Sequence, residues 1–239
     1  MEKGSLMYEG KAKKVYATSD QDTVWLEYTD QATAFNGQKK DSIAGKGVLN
    51  NQITGLLFKK LEQEGIPSHF IKLVSENEQL ARKVTIIPLE VVVRNAAAGS
   101  LSKRLGFEEG IALPYPIVEF YYKNDDLGDP LINEDHIGVL AIAEKGELEW
   151  LREQALKVNA VLTDFFRTIG VKLIDFKLEF GRTTDGQILL ADEISPDTCR
   201  LWDMETDEKL DKDVFRRSLG NMTEAYEEIL KRLGGLKHV

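Results

Sequence analysis

Apolar and polar residues alternate along residues 173–180, a pattern typical of a β-strand with one buried face. The apolar face carries Ile174, Phe176, Leu178 and Phe180, and the polar face carries Asp175, Lys177 and Glu179. After the turn-forming pair Asp185-Gly186, the apolar run Ile188–Ala191 predicts a second strand that returns along the first. A two-residue turn at this pair would place Glu179 directly opposite Asp192. The pattern therefore predicts a β-hairpin on which two carboxylates face each other.

Two facing carboxylates repel each other unless a positive charge lies between them. Magnesium is the usual divalent ion in such a position, because it prefers hard oxygen ligands. The alternative is an outer face in water, where charged residues alternate for solubility alone. The hairpin by itself leaves both interpretations open.

The same periodicities predict further elements over most of the chain. Further strands are predicted at Leu6–Tyr8, Lys13–Ala17, Thr23–Tyr28, Phe70–Val74, Ala81–Ile87, Leu89–Arg94 and Tyr115–Tyr122. Helices are predicted at Lys46–Glu64, Leu101–Leu105, Lys145–Ile169 and Asp213–Leu233, with a polar loop at Asp30–Asp41. The run Val91-Val92-Val93 is apolar on both faces, which favours a central strand.

Composition and charge limit the class of protein. A chain of 239 residues suits one large domain or two closely joined lobes. Its formal charge of -9 argues against nucleic acid or an anionic membrane surface as the main partner. No apolar run approaches the length of a membrane span, and the first residues lack the apolar segment of a signal peptide. The one cysteine, Cys199, excludes an internal disulfide and fits a reducing compartment, so we expect a cytoplasmic protein.

Two segments have residues suited to binding phosphate. Gly10 lies among three lysines between two predicted strands, and such a hairpin can cover phosphates with N–H groups and lysine charge. Arg94 ends a predicted strand and Ser100 precedes the next helix, so a guanidinium, N–H groups and a hydroxyl converge there. The simpler interpretations are a basic surface turn and an N-capping serine. Both alternatives stay open for the isolated segments.

Three common kinds of site are poorly supported. The three histidines, His69, His136 and His238, have no zinc-binding spacing. No G-x-S-x-G elbow occurs, and Cys199 has no histidine close in sequence, which argues against covalent catalysis. No G-x-G-x-x-G follows a strand, which argues against a nicotinamide cofactor. The remaining lysines, arginines and carboxylates at strand ends are the groups that phosphoryl transfer requires.

Several longer stretches of the chain match the signatures of one family. The most specific are Ile87–Arg94, continuing through Ala98-Gly99-Ser100, and Leu173–Gly181. The opening Tyr8–Lys13, the loop Lys123–Pro130 and the segment Asp192–Asp197 agree as well. In these stretches, and over essentially its whole length, the chain resembles the SAICAR synthetase (phosphoribosylaminoimidazole-succinocarboxamide synthase) family.

The resemblance implies an ATP-dependent ligase of purine biosynthesis. This ligase would join L-aspartate to the carboxylate of carboxyaminoimidazole ribonucleotide (CAIR), giving the succinocarboxamide (SAICAR), ADP and phosphate. The implied fold is α+β, with antiparallel sheets and packed helices in two lobes, related to ATP-grasp and kinase-like nucleotide-binding folds. ATP would lie in the cleft between an N-terminal lobe, residues 1–85, and a catalytic and substrate-binding lobe, residues 86–239. We also expect a homo-oligomer, with a dimer favoured.

The resemblance further implies roles for individual residues. At the ATP end, Gly10, Lys11, Ala12 and Lys13 would cover the phosphates, Lys123 would approach the nucleotide, and Glu179 and Asp192 would hold Mg²⁺. Glu90 would meet a metal near the carboxylate of CAIR. For the rest of CAIR, Arg94, Ser100 and Arg200 would grip the 5′-phosphate, with Asp175 and Lys177 near the imidazole and ribose. Asp175, Lys177 and Glu179 are the expected catalytic residues. Asn36 stands where the family often has an acidic residue, which leaves a charge role there open.

A reaction order follows from elementary chemistry. A carboxylate is a poor electrophile, so we expect ATP to phosphorylate CAIR first and the aspartate amine to attack the resulting acyl phosphate. Partial closure of the N-terminal hairpin would keep water from this intermediate. Two alternatives stay open: an ATP-dependent kinase or ligase for another phosphorylated metabolite, and a non-catalytic nucleotide-binding regulator with the same fold.

Overall fold

The computed structural model describes residues 1–34 and 39–235. Its strands are β1 (Lys3–Glu9), β2 (Lys13–Thr18), β3 (Thr23–Tyr28), β4 (Gln31–Ala34), β5 (Lys39–Ser42), β6 (Phe70–Leu73), β7 (Glu78–Arg82), β8 (Thr85–Ala96), β9 (Ala112–Tyr122), β10 (Leu131–Ile132), β11 (Val171–Arg182), β12 (Ile188–Ala191) and β13 (Cys199–Asp203). Its α-helices are α1 (Lys46–Gln63), α2 (Gly99–Leu105), α3 (Glu134–Val139), α4 (Lys145–Thr168), α5 (Asp213–Arg216) and α6 (Met222–Arg232). A short 3-10 turn spans Asp125–Leu127.

The strands form two antiparallel sheets and a small hairpin. The first sheet has the order β1-β2-β3-β7-β6, and the second has the order β10-β9-β8-β11-β12. Strand β11 has β8 on one side and two partners on the other, because β13 pairs with residues 171–176 and β12 pairs with residues 179–182. These two partners separate beside Lys177, whose N–H donates to the carbonyl of Thr198 instead. The separation places the segment that connects β12 and β13 next to the polar residues of β11.

The main hydrophobic core lies between the second sheet and the long helices. Helix α4 buries residues at three- and four-residue spacings, as an amphipathic helix does, and α1 packs on the same core. The core residues include Ile53 and Leu57 of α1, Leu151 and Leu162 of α4, and Val91 and Leu178 of the central strands. Because α1 belongs to the first 85 residues, this core joins the two predicted lobes. The predicted helices at 46–64 and 145–169 and the central position of Val91–Val93 are confirmed.

The strict alternation predicted for β11 is interrupted. A β-bulge lies between Leu173 and Asp175 in the pairing with β13. Leu173 and Phe176 therefore face the main core, whereas Ile174 packs in a second cluster with Trp202. A bulge places two residues of one strand opposite one of its partner, so the alternation shifts by one at this point. Beyond the bulge, Asp175, Lys177 and Glu179 share one face, as predicted.

Three predicted element boundaries are wrong. The polar loop at Asp30–Asp41 contains the hairpin β4–β5. The strands predicted at 81–87 and 89–94 are β7 and the long β8, which runs through Pro88. The single helix predicted at 213–233 is two helices, because Ser218 adopts φ 55° and a new helix begins at Met222, where the Asn221 side chain accepts from the N–H of Thr223.

The predicted pairing of Glu179 with Asp192 is also wrong by one residue. Glu179 lies opposite Ala191, and the connection is a five-residue loop in which Thr183 N–H donates to the carbonyl of Gln187. A one-residue shift would normally send Asp192 to the opposite face of the sheet. Asp192 instead adopts φ 59°, at the point where β12 ends, and its carboxylate lies on the same side as Glu179. The two carboxylates therefore converge despite the incorrect register.

Candidate active site

A cleft of about 880 Å³ lies between the first sheet and the polar face of β8 and β11. All thirteen residues assigned to the site from the sequence line it: Gly10, Lys11, Ala12, Lys13, Glu90, Arg94, Ser100, Lys123, Asp175, Lys177, Glu179, Asp192 and Arg200. Basic residues outnumber acidic residues in this lining, although the whole chain has 31 Lys and Arg against 40 Asp and Glu. Positive charge is thus concentrated locally, as an acidic protein that binds anionic substrates requires.

The β1–β2 hairpin forms one wall of the cleft. Its turn is closed by the N–H of Gly10, which donates to the carbonyl of Lys13 at 2.8 Å. Lys11 forms an exposed ion pair with Asp125 across the mouth of the cleft, at 2.7 Å. Lys13 points inward and binds the carboxylates of Asp192 and Glu193. The hairpin is therefore tied to the opposite wall at two points.

The carboxylate end of the cleft consists of Glu90, Glu179, Asp192 and Glu193 with the ammonium groups of Lys13, Lys123 and Lys177. The Lys177 ammonium lies 2.7 Å from Glu179, 3.1 Å from Glu90 and 3.9 Å from Asp192. Lys123 donates to Glu179 at 3.0 Å. Burial lowers the pKa of Lys177, but Glu179, Asp192 and Glu90 outweigh this effect and raise it well above its ordinary value. The lysine is a fixed cation at neutral pH.

Asp192 is held as a carboxylate by its neighbours. Burial raises the pKa of this group, but the charges of Lys13 and Lys177 outweigh burial and lower the net pKa. Its main-chain carbonyl lies 3.2 Å from Nε2 of His69. Burial, with the nearby Lys13 charge, lowers the pKa of His69 to about 4, so the ring is neutral at physiological pH. The contact to a carbonyl requires the neutral ring to carry its proton on Nε2.

The carboxylate end fits a magnesium ion held partly by substrate. Glu179 and Asp192 approach one ammonium group, so their oxygens already converge on a cation. Within residues 1–34 and 39–235, no three His, Cys, Asp or Glu side chains form a metal-binding group by themselves. Magnesium is commonly held by one or two carboxylates, with phosphates and water completing the shell. Two carboxylates beside a cleft wide enough for a nucleotide match that requirement.

The arginine end of the cleft consists of Arg94, Arg200 and Arg216 with the carboxylates of Asp175 and Asp213. The buried Arg94 guanidinium lies beneath the surface and donates to protein groups from nearly all its N–H bonds. Its acceptors are Glu119 at 2.7 Å, Asp175 at 2.7 Å, Ser100 at 2.9 Å and Tyr121 at 3.1 Å. Of the five N–H bonds of a guanidinium, four are thereby used. Arg94 therefore supports the surrounding side chains and has little capacity left for a ligand.

Arg200 differs from Arg94 because one side of its guanidinium is open. Its Nη1 donates to Asp175 at 2.8 Å, and its Nε donates to Asp213 at 3.0 Å. Among the described residues, Nη2 has no hydrogen-bond acceptor. Gly99 has φ 53°, which favours glycine, and a Cβ there would lie 2.5 Å from Nη2, so a larger residue would strain the backbone and displace this guanidinium. The two N–H bonds of Nη2 are available for a phosphate.

Sequence reasoning missed several residues that shape the site. Glu193, Lys212 and Arg216 line the cleft, and Asp213 orients two of its arginines from beneath. Asp213 was included only in a predicted helix, because its role depends on contacts between distant segments. Cys199 also lines the cleft, but burial raises the pKa of its thiol and keeps it neutral. The charge role left open at Asn36 lies outside the described residues.

A comparison with known proteins decides the family. A family model described as SAICAR synthetase matches residues 6–233. The chain belongs to the SAICAR synthetase family. It is 65% identical over 239 residues, all of both chains, to the phosphoribosylaminoimidazole-succinocarboxamide synthase of Bacillus cereus (strain G9842). The expected family and the expected class, an ATP-dependent ligase, are confirmed.

Solved SAICAR synthetase structures share the fold. The enzyme from Ehrlichia chaffeensis superposes with a TM-score of 0.95 at 47% identity, covering 98% of this chain and 100% of that one. A SAICAR synthetase in complex with ADP gives a TM-score of 0.93 at 52% identity, covering 97% and 99%. The predicted α+β fold with antiparallel sheets and packed helices is therefore confirmed. None of the helices in the described part of the chain has the length and apolarity needed to cross a membrane.

Proposed function

We propose that the cleft condenses CAIR with L-aspartate at the expense of ATP. The two substrates that carry phosphate, ATP and CAIR, would bind at opposite ends of the cleft. The observation that carries this proposal is the opposite charge balance of the two ends. The carboxylate end has four carboxylates and three ammonium groups, whereas the arginine end, counting the Glu119–Arg104 pair that binds beside Arg94, has four guanidinium groups and three carboxylates. The first balance suits a nucleotide accompanied by a divalent cation, and the second suits a free phosphate monoester.

The triphosphate of ATP would lie between the β1–β2 hairpin and the carboxylate end. Gly10, Lys11, Ala12 and Lys13 would cover it, and Lys123 would approach from the opposite wall, because each lines that part of the cleft. Glu179 and Asp192 would hold Mg²⁺, with Glu90 closest to the CAIR carboxylate. Bound Mg²⁺ would neutralise the charge of the triphosphate as an anionic carboxylate approaches.

The ribonucleotide would lie along β11 towards the arginine end. Arg200 would bind its 5′-phosphate through Nη2, with the Ser100 hydroxyl beside it and Arg94 supporting both. Asp175 accepts hydrogen bonds from Arg94 and Arg200 with both carboxylate oxygens, so its contribution is to align these side chains. Lys177, the member of the carboxylate end that stands next to Asp175 on the same face of β11, would face the imidazole carboxylate of CAIR.

The chemical steps would use this arrangement in order. An oxygen of the CAIR carboxylate attacks the γ-phosphorus, the bond to the β-phosphate oxygen breaks, and ADP leaves. The aspartate amine then attacks the acyl carbon, loses a proton, and inorganic phosphate departs with the former carboxylate oxygen. The Lys177 ammonium, fixed by Glu90 and Glu179, would stabilise the negative charge that develops on the acyl oxygens.

The two lobes predicted from the sequence correspond to the binding of the two phosphate-carrying substrates. Residues 1–85 would act as the lobe that covers ATP, and residues 86–239 as the lobe that binds CAIR and aspartate, joined by the shared core. We further propose a cytoplasmic homodimer. Sedimentation analysis would give twice the monomer mass of 26.9 kDa, and a monomer at enzyme-assay concentrations would contradict the dimer.

An omission assay tests the function. The purified protein would be incubated with CAIR, L-aspartate, ATP and Mg²⁺, leaving out one component at a time, while ADP is followed by a coupled assay and SAICAR by mass spectrometry. We expect equal amounts of ADP and SAICAR only in the complete mixture. ADP release with full rate in the absence of aspartate would indicate a kinase, and ADP binding without turnover would indicate a regulator.

The acyl phosphate has its own test. CAIR labelled with ¹⁸O in its carboxylate should pass one labelled oxygen to inorganic phosphate during turnover, because that oxygen forms the bond to phosphorus. Phosphate without the label would contradict this order of steps while leaving the overall reaction intact.

A further inference from the structure

His69 joins three parts of the molecule at the edge of the carboxylate end. Its N–H donates to the carbonyl of Leu190 in β12, and its carbonyl accepts from the N–H of Arg82 in β7. Its ring packs edge-on against Phe58 of α1, with centroids 5.7 Å apart. The side chain is nearly fully buried. This residue is therefore held by both sheets and by a helix.

The ring of His69 contacts the main chain of Asp192. Nε2 lies 3.2 Å from the Asp192 carbonyl, directly after β12 ends. Asp192 has φ 59°, which costs free energy in a residue with a Cβ unless neighbouring contacts stabilise it. In a regular strand, the observed register would turn this side chain away from Glu179. The conformation of Asp192 thus decides whether the two carboxylates meet.

We propose that His69 is a positioning residue for the proposed magnesium site. By donating from Nε2 to the Asp192 carbonyl, it stabilises the left-handed conformation that directs the Asp192 carboxylate towards Glu179. His69 itself need not contact ATP or the metal. This inference rests on the proposed function, because it assumes that Glu179 and Asp192 hold Mg²⁺ with the nucleotide.

Three variants separate the hydrogen bond from the packing. His69→Phe keeps an aromatic ring against Phe58 but has no donor, and His69→Gln keeps a donor at a similar reach. Phe58→Leu is the matched control, because it removes the ring contact and leaves the His69 hydrogen bond in place. All three are expected to lower the melting temperature, so stability alone does not test the proposal.

The deciding measurement is the gain in ADP affinity that Mg²⁺ produces, obtained by calorimetry with and without the ion. His69→Phe should reduce this gain by about threefold to tenfold, the range for loss of one hydrogen bond, and should leave metal-free ADP binding unchanged. His69→Gln should restore most of the gain, and Phe58→Leu should keep it in full. Hydrogen exchange in residues 191–195 should become faster in His69→Phe than in Phe58→Leu.

Two outcomes would overturn the inference, and they have different meanings. If wild-type protein shows a gain with Mg²⁺ and His69→Phe keeps it, the positioning role is wrong and the proposed function is untouched. If wild-type protein shows no gain with Mg²⁺, the proposed metal site fails and the inference fails with it. A loss that is equal in His69→Phe and Phe58→Leu would also contradict the proposal, since it would reflect packing alone.

Discussion

The two ends of the cleft carry similar numbers of charges but use different chemistry. The carboxylate end relies on lysines, whose compact ammonium groups sit on flexible chains. The arginine end relies on guanidinium groups, whose planar donors are locked in place by Asp175 and Asp213. Under the proposed function, the lysines would change partners as a triphosphate and a cation enter and leave, whereas the fixed guanidinium groups would present a prepared surface to the phosphate of CAIR. The chemistry would then take place at the carboxylate end, and CAIR would be anchored at the arginine end.

Removal of a carboxylate from the carboxylate end should have the largest effect. Glu179→Gln keeps the shape of this buried side chain but removes the charge that binds Lys123 and Lys177. We expect kcat to fall by about a hundredfold or more, the range for one preorganised electrostatic contact, with the fold unchanged by circular dichroism. CAIR binding, measured by calorimetry, should stay close to wild type.

Near-normal turnover in Glu179→Gln would contradict the metal assignment. Lowering Mg²⁺ should give a matching loss of rate in the wild-type protein. If Glu179→Gln lowered the affinity for CAIR by the same factor as kcat, catalysis and CAIR binding would not be separated between the two ends as proposed.

Arg200→Lys tests the anchor at the other end. Lysine retains the positive charge but cannot bind Asp175, Asp213 and a phosphate at the same time. We expect the KM for CAIR to rise by about tenfold to a hundredfold, as expected for loss of charged hydrogen bonds, with the KM for ATP changed by less than about twofold. Steady-state kinetics with each substrate varied in turn would measure both. An equal rise in the two KM values would contradict the separation of the ends.

The exposed pair at the mouth of the cleft should have a smaller effect. Lys11 would contact the ATP phosphates in addition to Asp125, so Lys11→Ala should raise the KM for ATP by about threefold to fivefold. Asp125→Asn leaves Lys11 free for ATP and should lower this KM or leave it unchanged. If both variants raise it equally, the ion pair itself matters and Lys11 acts by closing the hairpin.

The smallest effect concerns a buried acid beneath the arginine end. Burial, with the nearby charge of Asp213, raises the pKa of Asp211 from 3.8 to about 7. The folded protein therefore holds a proton that the unfolded chain has released, so this group's contribution to stability is lost as the pH rises from about 4 through about 7. Asp211→Asn cannot ionise, and its melting temperature should improve relative to wild type by about 4–8 °C between pH 5.5 and pH 8, because the wild type loses about 2 kcal/mol over that range.

Thermal unfolding of both proteins at the two pH values would measure this difference. A constant gap between Asp211→Asn and wild type would show that Asp211 is already ionised in the folded protein. The carboxylate of Asp211 would then add one negative charge to those already counted at the arginine end.

Most of the secondary structure and thirteen of the residues that line the cleft could be predicted from the sequence. The spacing of apolar residues is local, so the long helices α1 and α4 and the polar face of β11 follow from the order of residues alone. The residues of the cleft were found because their types and their family signatures are visible in the chain. The predicted boundaries were wrong where the conformation of a single residue turns the chain, as at Ser218 between α5 and α6.

Which side chains meet was decided by the tertiary structure. The β-bulge at Ile174, the five-residue loop before β12 and the left-handed Asp192 together set the convergence of the carboxylates. None of them has a local signature, because each depends on pairing with strands or on hydrogen bonds from residues distant in the chain, such as His69. By itself, the sequence determined which charged groups the protein has for binding phosphates. Their register and orientation were determined only by folding, since burial and long-range hydrogen bonds can stabilise conformations that local preferences disfavour.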